Sequence, residues 1–166
     1  MLASNERTLG VALRSTGLAM ALFVGEEIVT ARVSAVAAKA GYGKTKEVLG
    51  NWLTRYQPDL VVIEDYRTAA RKGPRQRRAL RHLPAFARRF PCEVMVIERR
   101  KTHANLYIEA SALAIRFPSL EDRVPRKPEL WEREPHFVSM FEAVTLAVNV
   151  LDDPDRLTRK IEDALS

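Results

Sequence analysis

Residues 56–66 read YQPDLVVIEDY. Pro58 and Asp59 break whatever precedes them, and the run from Leu60 to Glu64 is apolar except at its last position. An apolar run this short and unbroken reads as a strand covered on both faces, and such a strand needs helices on either side of its sheet. EVMVIER, residues 93–99, is a second run of the same kind. Glu64 closes the first, at the carboxyl end of the strand, where open α/β sheets present their chemistry.

Upstream, TLGVAL, GLAMALFV and EIVTARVSAV are three apolar-rich runs separated by Arg14-Ser15-Thr16 and by Gly25-Glu26-Glu27. Such short separations predict an antiparallel three-strand meander over residues 8–36. From Thr45, read as an N-cap, Val48, Leu49, Trp52, Leu53 and Tyr56 recur at helical spacing until Gln57-Pro58 stops them. The connection AAKAGYGKTKE, residues 37–47, has the outline of a loose phosphate-binding loop, with Ala38 where its first glycine belongs. The strand before it carries Arg32 and Ser34, and a meander upstream is foreign to that loop, so no nucleotide is expected and Lys44 is read as exposed.

Downstream, Thr102 is read as the cap of a helix with Leu106, Ala110, Leu113 and Phe117 on its core face, stopped by Pro118. Residues 118–131 read as an exposed loop. Pro135 opens a last long helix with Phe137, Phe141, Val144, Val148 and Leu151 in one stripe, and residues 152–166 as a charged tail or short helix. The whole predicts an α/β domain with a mixed sheet, antiparallel on one side and parallel beyond.

A chain of 166 residues reads as one domain, residues 1–166, large enough for its own core. Lys and Arg number 27 against 21 Asp and Glu, a net charge of +6 that favours a polyanionic partner. A single cysteine, Cys92, leaves no disulfide framework and no cysteine-based zinc site; it reads as a packing residue. His82, His103 and His136 share no ligand spacing. No apolar leader and no apolar run of about 18 residues is present, so a cytoplasmic protein without membrane partners is expected.

Three segments together carry a family resemblance: TLGVALRSTGLAMALFV, then YQPDLVVIEDY after a helix, then FEAVTLAVNVL on the last long helix. Over residues 8–151 the chain resembles the ribonuclease H-like superfamily, and within it the RuvC-type Holliday junction resolvases. The resemblance implies a mixed five-stranded sheet, a three-strand antiparallel meander plus two parallel strands, flanked by helices. It also implies a carboxylate cluster holding Mg2+ or Mn2+ for phosphodiester cleavage, a nucleic-acid partner, DNA above all, and a homodimer. Glu64 takes the place of the family's glutamate, and Glu142 that of the last helix's acid, so these two are the candidate catalytic and metal-ligating residues. Ser139 stands one turn before Glu142, where a second helix carboxylate belongs. The departure is on the first strand: Gly10-Val11-Ala12 puts Ala12 where the family has aspartate. Two anionic ligands would hold one hydrated ion weakly, with Asp65 expected on the other face of the strand. Glu132 or Glu134 would be needed to complete a set.

From Tyr66 to Cys92 no residue is acidic. Arg71, Lys72, Arg75, Arg77, Arg78 and Arg81, with Arg67 before them and Arg99, Arg100 and Lys101 after the second parallel strand, are the candidate nucleic-acid contacts. A one-signed run is also what a solvated helix face looks like, and its position directly after Glu64 favours a phosphate backbone. Tyr66 and Tyr107 read first as core or rim packing and second as stacking surfaces for an unpaired base, while Trp52 and Trp131 read as core and loop-anchor residues. Three readings stay open: a protein that binds structured or branched DNA with an incomplete nuclease site, an active metal-dependent endonuclease with a rearranged carboxylate set, and a non-catalytic structural or protein-interaction subunit.

Overall fold

The central strand decides the architecture because both of its faces are covered. The computed structural model describes residues 5–35, 41–69, 72–100, 103–132, 135 and 137–165. Its strands are β1 (Arg7–Arg14), β2 (Gly17–Val24), β3 (Glu27–Ser34), β4 (Leu60–Glu64) and β5 (Glu93–Ile97), in the order β3-β2-β1-β4-β5. β1 pairs antiparallel with β2 and β2 with β3, whereas β1–β4 and β4–β5 are parallel. This is the mixed five-stranded sheet expected from the pattern. Gly25, at φ 59, supplies the left-handed residue that the two-residue β2–β3 turn requires.

Among the described residues the α-helices are α1 (Tyr42–Tyr56), α2 (Pro74–Ala87), α3 (Leu106–Arg116), α4 (Phe137–Leu151) and α5 (Pro154–Leu165), with a 3-10 turn at Pro118–Arg123. Period-two alternation sorts the strand side chains between two cores. Leu9, Val11 and Leu13 of β1 and Val61 and Ile63 of β4 meet Leu49, Trp52 and Leu53 of α1 and Leu80 and Leu83 of α2. Ala12, Leu60 and Val62 face the other way, against Ala110 and Leu113 of α3 and Phe141, Ala143 and Val144 of α4. The result is a helix–sheet–helix sandwich.

α4 lies unusually near the sheet, and Gly10 is the reason. A Cβ at residue 10 would stand 2.1 Å from the carbonyl oxygen of Ala143. The close approach buries α4 almost all round, from Val138 to Val148, and draws Glu142 to the end of the sheet.

Several local expectations are corrected. Thr45 does not cap α1: the helix starts at Tyr42 after Gly41, and the buried Thr45 hydroxyl donates back to the Gly41 carbonyl at 3.0 Å. Gln57 ends α1 in the left-handed conformation, at φ 45, its N–H on Leu53 O. α3 is capped by Asn105, whose Oδ1 accepts from the N–H groups of Tyr107 and Ile108, both at 3.0 Å. The loop read over 118–131 contains the 3-10 turn, pinned by buried Leu120. Trp131, expected as a loop anchor, is 82% exposed. Residues 36–40, which include the first four residues of the glycine-bearing connection, lie outside the described residues, as do Arg71, Lys101, Thr102, Glu134 and His136. β3, which leads into that connection, is an edge strand, unlike the central strand before a phosphate loop.

Candidate nucleic-acid interface

The carboxyl ends of the three parallel strands put Arg14, Glu64 and Arg99 in one neighbourhood. Along β1, Gly10, Ala12 and Arg14 share the face toward α4, so the first side chain past the vacant acid position is a cation. Leu60, Val62 and Glu64 share the same face of β4. The β1–β4 register pairs Val11 with Ile63, so continuing it by one residue sets Ala12 beside Glu64. Both candidate acids are withdrawn from solvent, Glu64 at 6% exposure and Glu142 at 1%. Neither is the solvated polar residue that a hydrophobic stripe alone would predict.

Lys72 joins them. It belongs to the β4–α2 connection, which is anchored by buried Ala69, and its side chain is only 11% exposed. Its ammonium donates to Glu142 Oε1 and, at 2.8 Å, to the carbonyl of Leu13. It also lies 2.8 Å from Glu64 Oε1, at ion-pair distance but off hydrogen-bond geometry, so that oxygen has an electrostatic partner without a hydrogen bond. Arg14 Nη1 donates to the other oxygen of Glu142 at 2.7 Å. Burial pushes the Glu142 carboxyl up, but the charges of Lys72 and Arg14, the Lys72 hydrogen bond and the charge of Arg99 outweigh it and hold the group below the usual carboxylate range.

A second buried pair stands beside the first. Glu109, on the core side of α3, accepts from Arg99 Nη1 at 3.1 Å and from Thr145 Oγ1 at 2.6 Å. Asn149 of α4 accepts from the backbone N–H of Arg100 at 2.9 Å, fixing the segment that follows β5. Glu64, Lys72, Glu142, Arg99 and Glu109, with His103 and Tyr107, line an open cleft of about 990 Å³. Four basic side chains, Arg14, Lys72, Arg99 and Arg100, face four acidic ones, Glu64, Glu98, Glu109 and Glu142. Its floor is therefore neutral rather than anionic.

Such a floor does not fit a two-metal centre. The first-strand position is a fully buried alanine, and no group of three or more His, Cys, Asp or Glu is arranged to hold a metal ion among the described residues. Ser139, one turn before Glu142, is buried. Asp65 turns to Arg67, whose hydrogen bonds lower the carboxyl's pKa, and Glu132 pairs with Arg126 at 3.6 Å outside the cleft lining.

The basic segment divides. Lys72 points inward, whereas Arg75, Arg77, Arg78 and Arg81 on α2 are exposed. α2 begins two residues after Lys72, which lines the cleft, while Arg75 and Gln76 in its first turn line a separate small hollow with Tyr42 and Thr45. No acid lies in its first turn and no side chain caps it, so arginines at this end add to the positive pole of the helix dipole. Tyr66 is within this group: Arg81 lies 5.8 Å over its ring and Arg77 Nε donates to its carbonyl at 3.4 Å. His82 packs against Tyr42. Cys92 donates to the Ala87 carbonyl at 3.4 Å, and burial raises its thiol pKa. No helix among the described residues is long and apolar enough to cross a membrane.

Arg14, Glu109 and Thr145 are the members of this site that sequence reasoning passes over. Arg14 is read as part of a turn, although its two-residue offset from Ala12 is a usable signal. Glu109 interrupts the apolar stripe of α3 between Leu106 and Ala110, a position where an acid needs a buried partner.

Neither a scan against protein-family models nor a search of curated protein sequences gave a match. Solved structures do match. The fowlpox virus resolvase in complex with substrate Holliday junction DNA superposes with a TM-score of 0.55 at 13% identity, over 88% of this chain and 97% of that one. T. thermophilus RuvC in complex with a Holliday junction substrate gives 0.54 at 14% identity, over 93% and 96%. The yeast mitochondrial Holliday junction resolvase gives 0.53 at 12% identity, over 96% and 83%. With its meander, its two parallel strands and a long helix crossing the first strand, the chain has the ribonuclease H-like fold of the RuvC-type Holliday junction resolvases.

Proposed function

We propose that this protein binds branched DNA, a four-way junction or a related structure, through the cleft at the parallel strand ends and the arginine face of α2. The carrying observation is that Arg75, Arg77 and Arg78, exposed at an uncapped helix start, begin three residues after Lys72, which lines a cleft whose floor carboxylates are neutralised internally. A phosphate backbone laid there meets cations at the rim and no net negative charge below. Arginine and helix-end contacts of this kind hold phosphates without reading bases, so recognition follows the shape of the nucleic acid. Tyr66 and Tyr107 offer ring faces for an unpaired base at the branch point. The fold supports the same partner, since two of the similar structures hold Holliday junction DNA.

Fluorescence anisotropy with labelled four-way junctions and duplexes of equal length tests this. Junctions are expected to bind more tightly, and changing Arg75, Arg77 and Arg78 together to alanine to weaken both. Unaltered affinity in that variant would remove α2 from the interface. An active endonuclease is the second reading, favoured by the meeting of Glu64 and Glu142 at one cleft. Junction cleavage in Mn2+ that disappears in Glu64→Ala would establish it in place of binding alone.

A further inference from the structure

Three oxygens surround the Lys72 ammonium: Glu142 Oε1, Glu64 Oε1 at 2.8 Å and the Leu13 carbonyl at 2.8 Å. Two carboxylates and a backbone carbonyl are the donors a hard divalent cation takes. Here a side-chain ammonium holds the space between them. The remaining carboxylate oxygen of Glu142 is taken by Arg14 at 2.7 Å. Two negative charges are matched by two positive ones, so an entering dication would have to displace an ammonium from a buried carboxylate and would leave the cluster with excess positive charge. Unpaired charge in so enclosed a place is costly.

We infer that Lys72 is a built-in replacement for a divalent cation: its ammonium links Glu64 to Glu142 and, with Arg14, closes this carboxylate pair to Mg2+ and Mn2+. The replacement of the first-strand acid by Ala12 is consistent with it. A third carboxylate on β1, beside Glu64, would exceed the charge that Lys72 and Arg14 can balance. One lysine thereby does structurally what a bound ion would do, tying β4 to α4, and it does so without an exchangeable ligand. The inference concerns the free protein and does not depend on the nucleic-acid reading.

Mn2+ binding followed by electron paramagnetic resonance tests it, with no nucleic acid present, so that its failure is distinct from a failure of junction binding. The wild type is expected to leave the free-ion signal unchanged. Lys72→Ala is expected to bind one Mn2+ at least about tenfold more tightly than the wild type, and Lys72→Ala/Glu142→Gln to lose that gain. Wild-type binding that Glu142→Gln weakens would overturn the proposal, as would a folded Lys72→Ala that gains no ion. Should Lys72→Ala fail to fold alone, cooperative folding restored by Mn2+ supports the replacement, and no restoration at any Mn2+ concentration overturns it.

Discussion

Arg14 Nη1 donates to Glu142 Oε2 at 2.7 Å, tying the end of β1 to the first half of α4 across 128 positions of sequence. The pair is buried on the carboxylate side, with Glu142 at 1% exposure. Removing one partner from such a pair leaves an uncompensated charge in a low-dielectric setting, which typically costs about 3–5 kcal/mol. Arg14→Met is expected to lie toward the low end of that range, because Lys72 still faces the other oxygen. Urea denaturation at neutral pH measures it, and a change within error of zero would mean that Lys72 alone neutralises Glu142.

Acid should loosen the same linkage. The folded pKa of Glu142 lies below its ordinary value of 4.5, so the stability it contributes is complete above that value and is lost as pH falls through the folded value. The urea midpoint is expected to drop as pH is lowered past 4.5, and Glu142→Gln to flatten part of that drop. A variant with the same acid profile as the wild type would assign the loss to other carboxylates.

The fold was legible where a pattern is local. LVVIE reads as a doubly covered strand because it is short, apolar and bounded, and β4 is buried throughout. EVMVI reads the same way and is a strand, but β5 lies at the sheet edge with none of its residues fully buried; the meander follows from its short connections. Glu64 was visible as the charged end of such a strand. The inward turn of Lys72 was not, because in a segment of one-signed charge every lysine and arginine looks alike. Nothing local to Lys72 marks its direction, which goes with the burial of Ala69, three residues earlier, against the sheet. Glu142 was located by resemblance, but its burial depends on how closely α4 meets β1. The decisive residue for that is Gly10, which lies on another element, far along the chain from the Ala143 whose close approach it admits.

Gly10 should tolerate no side chain. A Cβ would meet the Ala143 carbonyl at 2.1 Å and the Ala147 side chain at 3.1 Å, and a backbone oxygen in a buried helix cannot swing aside. Gly10→Ala is expected to destabilise by at least about 1–3 kcal/mol, the usual range for overpacking. Since α4 must retreat, the Arg14–Glu142 pair should weaken too. Thermal melts of Gly10→Ala and Gly10→Ala/Glu142→Gln test this: the effect of Glu142→Gln should be smaller in the Gly10→Ala background, and equal effects would separate helix approach from the ion pair.

Glu109 should act through Arg99. It accepts from Arg99 and from Thr145, so Glu109→Ala removes the acceptor that orients a cation on the cleft wall. Junction affinity is expected to fall by a few-fold, with a loss of about 1–3 kcal/mol in stability from the donors left behind. Arg99→Ala should lower affinity as well, and Arg99→Ala/Glu109→Ala should add little to it. Additive losses of affinity in anisotropy titrations would show that Glu109 acts elsewhere.

Restoring the first-strand acid gives the sharpest test of the charge balance. Ala12 is fully buried and stands beside Glu64 in the continued β1–β4 register, so Ala12→Asp adds a third carboxylate to a cluster with two counter-ions. The single variant is expected to lose several kcal/mol, on the order of the 3–5 kcal/mol of an unpaired buried charge. In Ala12→Asp/Lys72→Ala the balance changes: three carboxylates face Arg14 alone, an excess of two negative charges that a divalent ion matches. That double variant should be stabilised by Mn2+ in proportion to occupancy, by about 2.7 kcal/mol at a hundred times the dissociation constant. Thermal melts against Mn2+ concentration measure it, and a midpoint that does not move would show that the strand ends and α4 are too far apart, or wrongly aimed, to share an ion.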